Sequence, residues 1–236
     1  MTSHIGIVGV SPEGAALFYR QVMRHAGRLR APNEQPRVTV HNEPLELYIS
    51  AIRKDDWLTV GRMLRRSAEL LARCGAEFCI TPDGAVQHGV QLAEVGSPIP
   101  WLPMPDLVGS ALATDRRTCV GIVGTRLVTL SSTYQTHLGL RGIQVLTPDE
   151  TDIETIDQII FGELIYGHAR PESRAAALAA IASLARRGCD AVILASSEVP
   201  LLVGSDNSPL PVYDAAEILA EASVRRTIPK QPTTLA

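Results

Sequence analysis

No apolar stretch in this sequence approaches the length a bilayer requires, and Met1 to Val10 carries no basic run leading into an apolar signal core. A soluble, cytoplasmic protein is expected. There is no run of lysines either, and with a formal charge of -3 the chain has no general attraction for nucleic acid or an anionic membrane. Cys74, Cys79, Cys119 and Cys189 lack CxxC spacing and fall short of the density of a secreted scaffold, so they read as small buried hydrophobes in a reducing compartment. The histidines, His4, His25, His41, His88, His137 and His168, are dispersed without ligand spacing, so no metal is expected. The loop from Gly9 to Gly14 has no glycine between its ends and no Walker lysine after it, so neither a dinucleotide nor a nucleotide triphosphate motif is present. No cofactor is called for.

What is present is a repeat. Ile5-Gly6-Ile7-Val8-Gly9 returns as Val120-Gly121-Ile122-Val123-Gly124, and Leu71-Ala72-Arg73-Cys74-Gly75 returns as Leu184-Ala185-Arg186-Arg187-Gly188. Gly6 and Gly121 are 115 positions apart and Gly75 and Gly188 are 113 apart, so the chain reads as two similar half-chains. With 236 residues, 45% of them hydrophobic, it can bury one substantial core or two modest ones.

Short apolar runs at 5–8, 37–41, 78–81, 119–123, 143–146 and 191–195 have the length of buried strands. Helical segments separate them. Trp57, Val60, Leu64, Ala68 and Leu71 recur at three- and four-residue steps opposite Arg62, Arg65, Arg66, Glu69 and Arg73, and 152–166, 171–187 and 214–224 are further helices. Strands interleaved with helices predict an α/β fold with parallel sheets. Residues 1–103 with 212–227 are expected to form a first α/β domain that includes a returning C-terminal helix. Residues 104–211 form the second and 228–236 a tail, with Pro98–Pro105 and Pro209–Pro211 as crossings and candidate hinges.

Parallel sheets bind ligands beyond the carboxyl ends of their strands. Four loops qualify: 9–14, 124–126, 82–85 and 195–198. They bring forward Ser11, Asp83, Gly84, Ala85, Thr125, Arg126, Ser196, Ser197 and Glu198, and their backbone N–H groups can hold a carboxylate. Tyr48 and Trp101 are candidates to line the cleft or to pack the core.

Gly124-Thr125-Arg126, Tyr134, Ile159-Ile160-Phe161-Gly162-Glu163-Leu164, Ala191 to Leu202 and Pro211-Val212-Tyr213-Asp214 together resemble the cofactor-independent aspartate/glutamate racemase family, in particular its broad-specificity amino-acid branch. The resemblance implies two similar Rossmann-like α/β domains related by a pseudo-twofold axis, an active site in the cleft between them, a small carboxylate or amino-acid-like substrate, and a homodimer. In that family one residue removes a proton from the α carbon and its mate returns one from the other face. The pair is usually two cysteines, or a threonine with a cysteine.

Neither thiol is present here. Asp83-Gly84-Ala85 and Gln87 stand where the first half of a family member has Cys or Thr, Asn-Thr and a nearby His; Ala195-Ser196-Ser197-Glu198 stands where the second has Gly-Cys-Thr-Glu. Leu219 replaces a histidine of the last helix. An aspartate is a weak base unless burial or a neighbouring anion raises its pKa, and a serine needs an adjacent base, for which His88 and His137 are candidates by location only.

Three readings follow. The first is a diverged isomerase- or lyase-type enzyme with Asp83 as acid/base and Ser196 as stabiliser or proton donor. The second is an amino-acid racemase or epimerase with atypical catalytic residues, and the third an inactive binding relative. In the first two, Ser11, Gly84, Ala85, Thr125, Arg126, Ser197 and Glu198 are candidates to bind the substrate.

Overall fold

The computed structural model describes residues 3–31 and 34–228. The expected tail beyond Ile228 lies outside the described residues. The first half runs β1 (His4–Gly9), α1 (Pro12–Leu29), β2 (Arg37–Asn42), α2 (Leu45–Arg53), α3 (Trp57–Arg73), β3 (Phe78–Ile80), α4 (Gln87–Glu94) and α5 (Met104–Thr114). The second runs β4 (Cys119–Val123), α6 (Arg126–Thr129), α7 (Ser132–Gly139), β5 (Gln144–Leu146), α8 (Glu150–Gly162), α9 (Pro171–Arg186), β6 (Ala191–Leu194), β7 (Val212–Asp214) and α10 (Ala215–Arg226). Each expected strand is present. Side chains punctuate the helices as the sequence suggests: Ser11, Asp56, Asp149 and Asp214 cap N-termini with their own oxygens, and Pro12 and Pro171 occupy first-turn positions.

The sheets have the same order, β2-β1-β3 and β5-β4-β6-β7, and every pairing is parallel. The extra edge strand of the second sheet has a trace in the first. Cys79 N–H donates to Pro100 O at 2.9 Å and Leu102 N–H to Cys79 O at 3.1 Å, which sets Trp101 beside β3 as β7 sits beside β6. Val212–Asp214 therefore belongs with the second sheet and not, as the sequence boundary at 212 has it, with the first domain. Tyr213 pairs with Ile193 and is buried.

The repeated segments touch one another within each half, which explains why they recur as a set. A β-carbon on Gly6 would lie 3.1 Å from Leu71 Cδ1, and one on Gly121 would lie 2.7 Å from Leu184 Cδ1. Each strand gives up a side chain so that the leucine of its covering helix can close on the sheet. Gly75 and Gly188, four residues further on, turn the chain at φ +90 and +96.

Buried side chains fall into three clusters. One, with Tyr48, Leu64 and Leu71, covers the outer face of the first sheet under α2, α3 and α4, and a second, with Ile160, Ile181 and Leu184, covers the second sheet under α8 and α9. The third joins the halves: Ile5, Ile7 and Phe18 of the first pack in the same cluster as Ile122, Ile193 and Leu219 of the second. Here the last helix of each half crosses over. The returning helix α10 lies along α1, α5 packs on α7, and α5 and α10 pack on each other.

Candidate active site

The carboxyl ends of β1, β3, β4 and β6 converge on one cavity between the halves. Asp83, Ser196, Ser11, Ala85, Thr125 and Glu198 line it; Gly84, Arg126 and Ser197 do not. The cavity is narrow, with about 30 Å³ of free space, where one water needs roughly 10–15 Å³. Its walls must part to admit an amino acid.

Asp83 follows β3 in extended backbone and caps a 3-10 turn, Gly84–Val86, accepting the Ala85 N–H at 2.9 Å. Behind it Gln87 Nε2 donates to the carbonyls of Thr81 and Asp83 at 3.2 and 3.1 Å and so braces the loop. Gly84 is pressed against the carbonyl of Ala195, where a β-carbon would collide with it. That contact brings the two loops together. Burial, and secondarily the nearby Glu198 carboxylate, raise the Asp83 pKa to about 7 against the pull of the Ala85 and Ser11 N–H groups.

Ser196 leaves the end of β6 and its Oγ accepts the Thr125 N–H at 2.9 Å. The hydroxyl proton is then available to a ligand. Gly124 leaves the room for this contact, since a β-carbon there would lie 2.8 Å from Ser196 Oγ. Thr125 and Ser11 cap the helices that follow β4 and β1, at 3.4 Å to Val128 N and 3.2 Å to Gly14 N, and so occupy equivalent places in the two halves.

Glu198 is only 3% exposed, with Oε2 accepting from Ser197 Oγ at 3.2 Å. Burial raises its pKa, while hydrogen bonding from Ser11, Ser197 and its own backbone opposes the rise. Its Oε1 makes no hydrogen bond of good geometry, and neither does the hydroxyl of the fully buried Tyr48, whose pKa burial pushes up to about 12 against the pull of the neighbouring Ser67. Both residues line the cavity.

Arg126, a candidate to bind the substrate, does not line this cavity. Its guanidinium pairs with Glu150 at 2.5 Å and its N–H donates to Asp157. Trp101 is a core residue, 4% exposed beside β3. His88 is exposed and packs edge-on against Trp57, and His137 sits 2.9 Å from Asp106, so neither serves Ser196. Leu219 is wholly buried in the cluster joining the halves. The sequence reading missed the apolar walls: Leu45, Ile49 and Ile52 of α2, and Ile160, Phe161 and Ile165 of α8 and the turn after it. Their spacing, i, i+4 and i+7 on α2, is the signal that could have found them.

Two similar α/β halves, with equivalent loops meeting across a cleft, define a pseudo-symmetric two-domain protein with a Rossmann-like parallel sheet in each half. A sequence model of the Asp/Glu/Hydantoin racemase family matches residues 7–223, and the chain belongs to that family. A provisionally assigned Asp/Glu racemase of Yersinia pestis is 26% identical, with TM-score 0.84 over 95% of this chain and 99% of that one. An aspartate racemase homologue of Pyrococcus horikoshii is 20% identical, with TM-score 0.83 over 96% and 99%. The glutamate racemase of Francisella tularensis, solved with D-glutamate, is 14% identical, with TM-score 0.69 over 95% and 81%. The last two likenesses show the fold.

Proposed function

We propose that the protein is a cofactor-independent proton-transfer enzyme of isomerase or lyase type acting on a small amino acid or carboxylate, with Asp83 as acid/base and Ser196 as stabiliser or proton donor. The observation that carries this reading is the setting of Asp83: it lines one cavity with Ser196 and Glu198, and desolvation together with the Glu198 charge pushes its carboxyl up to about 7, where it can both take and return a proton near neutral pH. In the forward step the Asp83 carboxylate takes a proton from the substrate carbon, leaving the electron pair delocalised toward the adjacent carboxyl or carbonyl. Ser196 donates a hydrogen bond, or its proton, to the charge that develops. In an isomerisation Asp83 returns the proton to another atom of the delocalised intermediate; in an elimination the electron pair expels the β-substituent, which departs with the Ser196 proton or one from water, and Asp83 releases its own proton to solvent.

A one-sided reaction fits Ser196 better than racemisation does. Its oxygen already accepts the Thr125 N–H, which lowers its basicity, and His88 and His137 are both engaged elsewhere. The test is proton NMR in deuterium oxide with L- and D-amino acids and small substituted dicarboxylates, using Asp83→Asn as control. Exchange or a new product from one enantiomer supports the reading. Conversion of both enantiomers restores the racemase, and silence across the panel supports a binding relative.

A further inference from the structure

The walls of the cavity combine two features that together specify a ligand. Among the described residues that line it, none is an arginine, lysine or histidine, while two are carboxylic acids, Asp83 and Glu198. Arg126, the nearest candidate cation in sequence, is turned out to Glu150. A second carboxylate on the ligand would enter without a counter-ion, beside two acids and away from water.

The remaining surface is complementary to something else. Leu45, Ile49 and Phe161 are half-buried and face the cavity from opposite walls. Two of the lining residues, Tyr48 and Glu198, carry polar atoms that are buried and make no hydrogen bond of good geometry, Tyr48 Oη near Ser67 and Glu198 Oε1 beside Gly14. The first can donate to a carboxylate oxygen, and the second, in the ionised carboxylate, accepts from a donor such as an ammonium N–H. Orphaned polar atoms in a binding cavity are explained when the ligand supplies their partners.

We infer that the substrate is an α-amino acid with a single carboxylate and an apolar side chain: its ammonium faces Glu198 Oε1, its carboxylate Tyr48 Oη, and its side chain Leu45, Ile49 and Phe161. This rests on the reading of the cavity as the site of proton transfer and narrows that reading by excluding aspartate and glutamate.

Calorimetric titration of the full chain and of Asp83→Asn with leucine, phenylalanine, aspartate and glutamate tests it, each in both enantiomers, because binding is read without turnover. Leucine or phenylalanine is expected to bind at least about tenfold more tightly than either dicarboxylate, and Tyr48→Phe to weaken that binding about tenfold. Ile49→Arg, which places a cation in the wall, shifts the preference toward the dicarboxylates. If that variant does not fold, the wild-type ratio and Tyr48→Phe still decide. Equal or tighter binding of aspartate or glutamate, or binding of none of the four, overturns the inference. Apolar amino acids that bind without exchanging their α proton in deuterium oxide leave the ligand class standing and sink the proton-transfer reading, whereas exchange confined to aspartate does the reverse.

Discussion

Ser196 Oγ and the backbone N–H of Thr125 are 2.9 Å apart, a bond between the loops that follow β6 and β4. The side chain that would act on substrate thus also holds the floor of the second half together. Ser196→Ala is expected to leave a buried N–H unpaired, lowering stability by about 1–3 kcal/mol and turnover by roughly 10²-fold. Urea denaturation and exchange kinetics read the two effects separately. Ser196→Cys, which places a more acidic thiol at this position, should raise α-proton exchange on the second enantiomer.

Asp83→Asn keeps the size of the side chain and an oxygen for the Ala85 N–H, so the fold should survive. The proton-transfer group does not. A loss of about 10²–10⁴ in turnover is expected. In the wild type kcat/KM should climb as pH rises through about 7, and this limb should vanish in the variant. Turnover by Asp83→Asn at the wild-type rate would remove Asp83 from the mechanism.

The same carboxyl makes stability depend on pH in a definite direction. Asp83 is raised from 3.8 to about 7 and Asp214 from 3.8 to about 6, each chiefly by burial. Between these limits the folded protein retains protons that the unfolded chain has lost, so the contribution of these two carboxyls to stability is fully present below about pH 4 and is lost as pH rises toward 7. Thermal unfolding across that range should show the decline. For Asp83→Asn the fall should be shallower, by on the order of 1–3 kcal/mol at pH 7.5 after allowing for partial solvent access.

Gly121→Ala forces a methyl to 2.7 Å from Leu184 Cδ1, with Leu184 Cβ only 3.3 Å away. A cost of about 1–3 kcal/mol is expected, and Gly6→Ala, whose contacts begin at 3.1 Å, should cost less. Combining Gly121→Ala with Leu184→Ala should give less than the sum of the two, since the clash disappears with the leucine side chain.

The parallel sheets and the loops bearing Asp83 and Ser196 were legible because their signals are local: alternating strands and helices, and a repeat whose glycine and leucine meet in each half. Ser11 and Thr125 were legible as the residues after equivalent strands. Arg126 was not, because nothing in Gly124-Thr125-Arg126 tells whether the guanidinium turns toward the cleft or toward Glu150 on a helix 24 residues further on. The wall formed by Leu45 and Ile49 was hidden for a related reason. An apolar face on α2 can cover a sheet or a ligand, and only the packing of the halves decides. Val212–Asp214 was misplaced because a three-residue strand beside a proline-rich crossing carries too little pattern to choose a sheet.

The crossing of α5 and α10 also governs the order in which the molecule can be made. As the chain emerges during synthesis, α1 is complete by residue 29, but the helix that lies along it spans Ala215–Arg226. The apolar flank of the first half therefore waits, uncovered, until Ala215–Arg226 has been made. A nascent or truncated chain ending before Ala215 would hold Asp83 and Ser196 on their loops without the clasp that keeps the two halves in register.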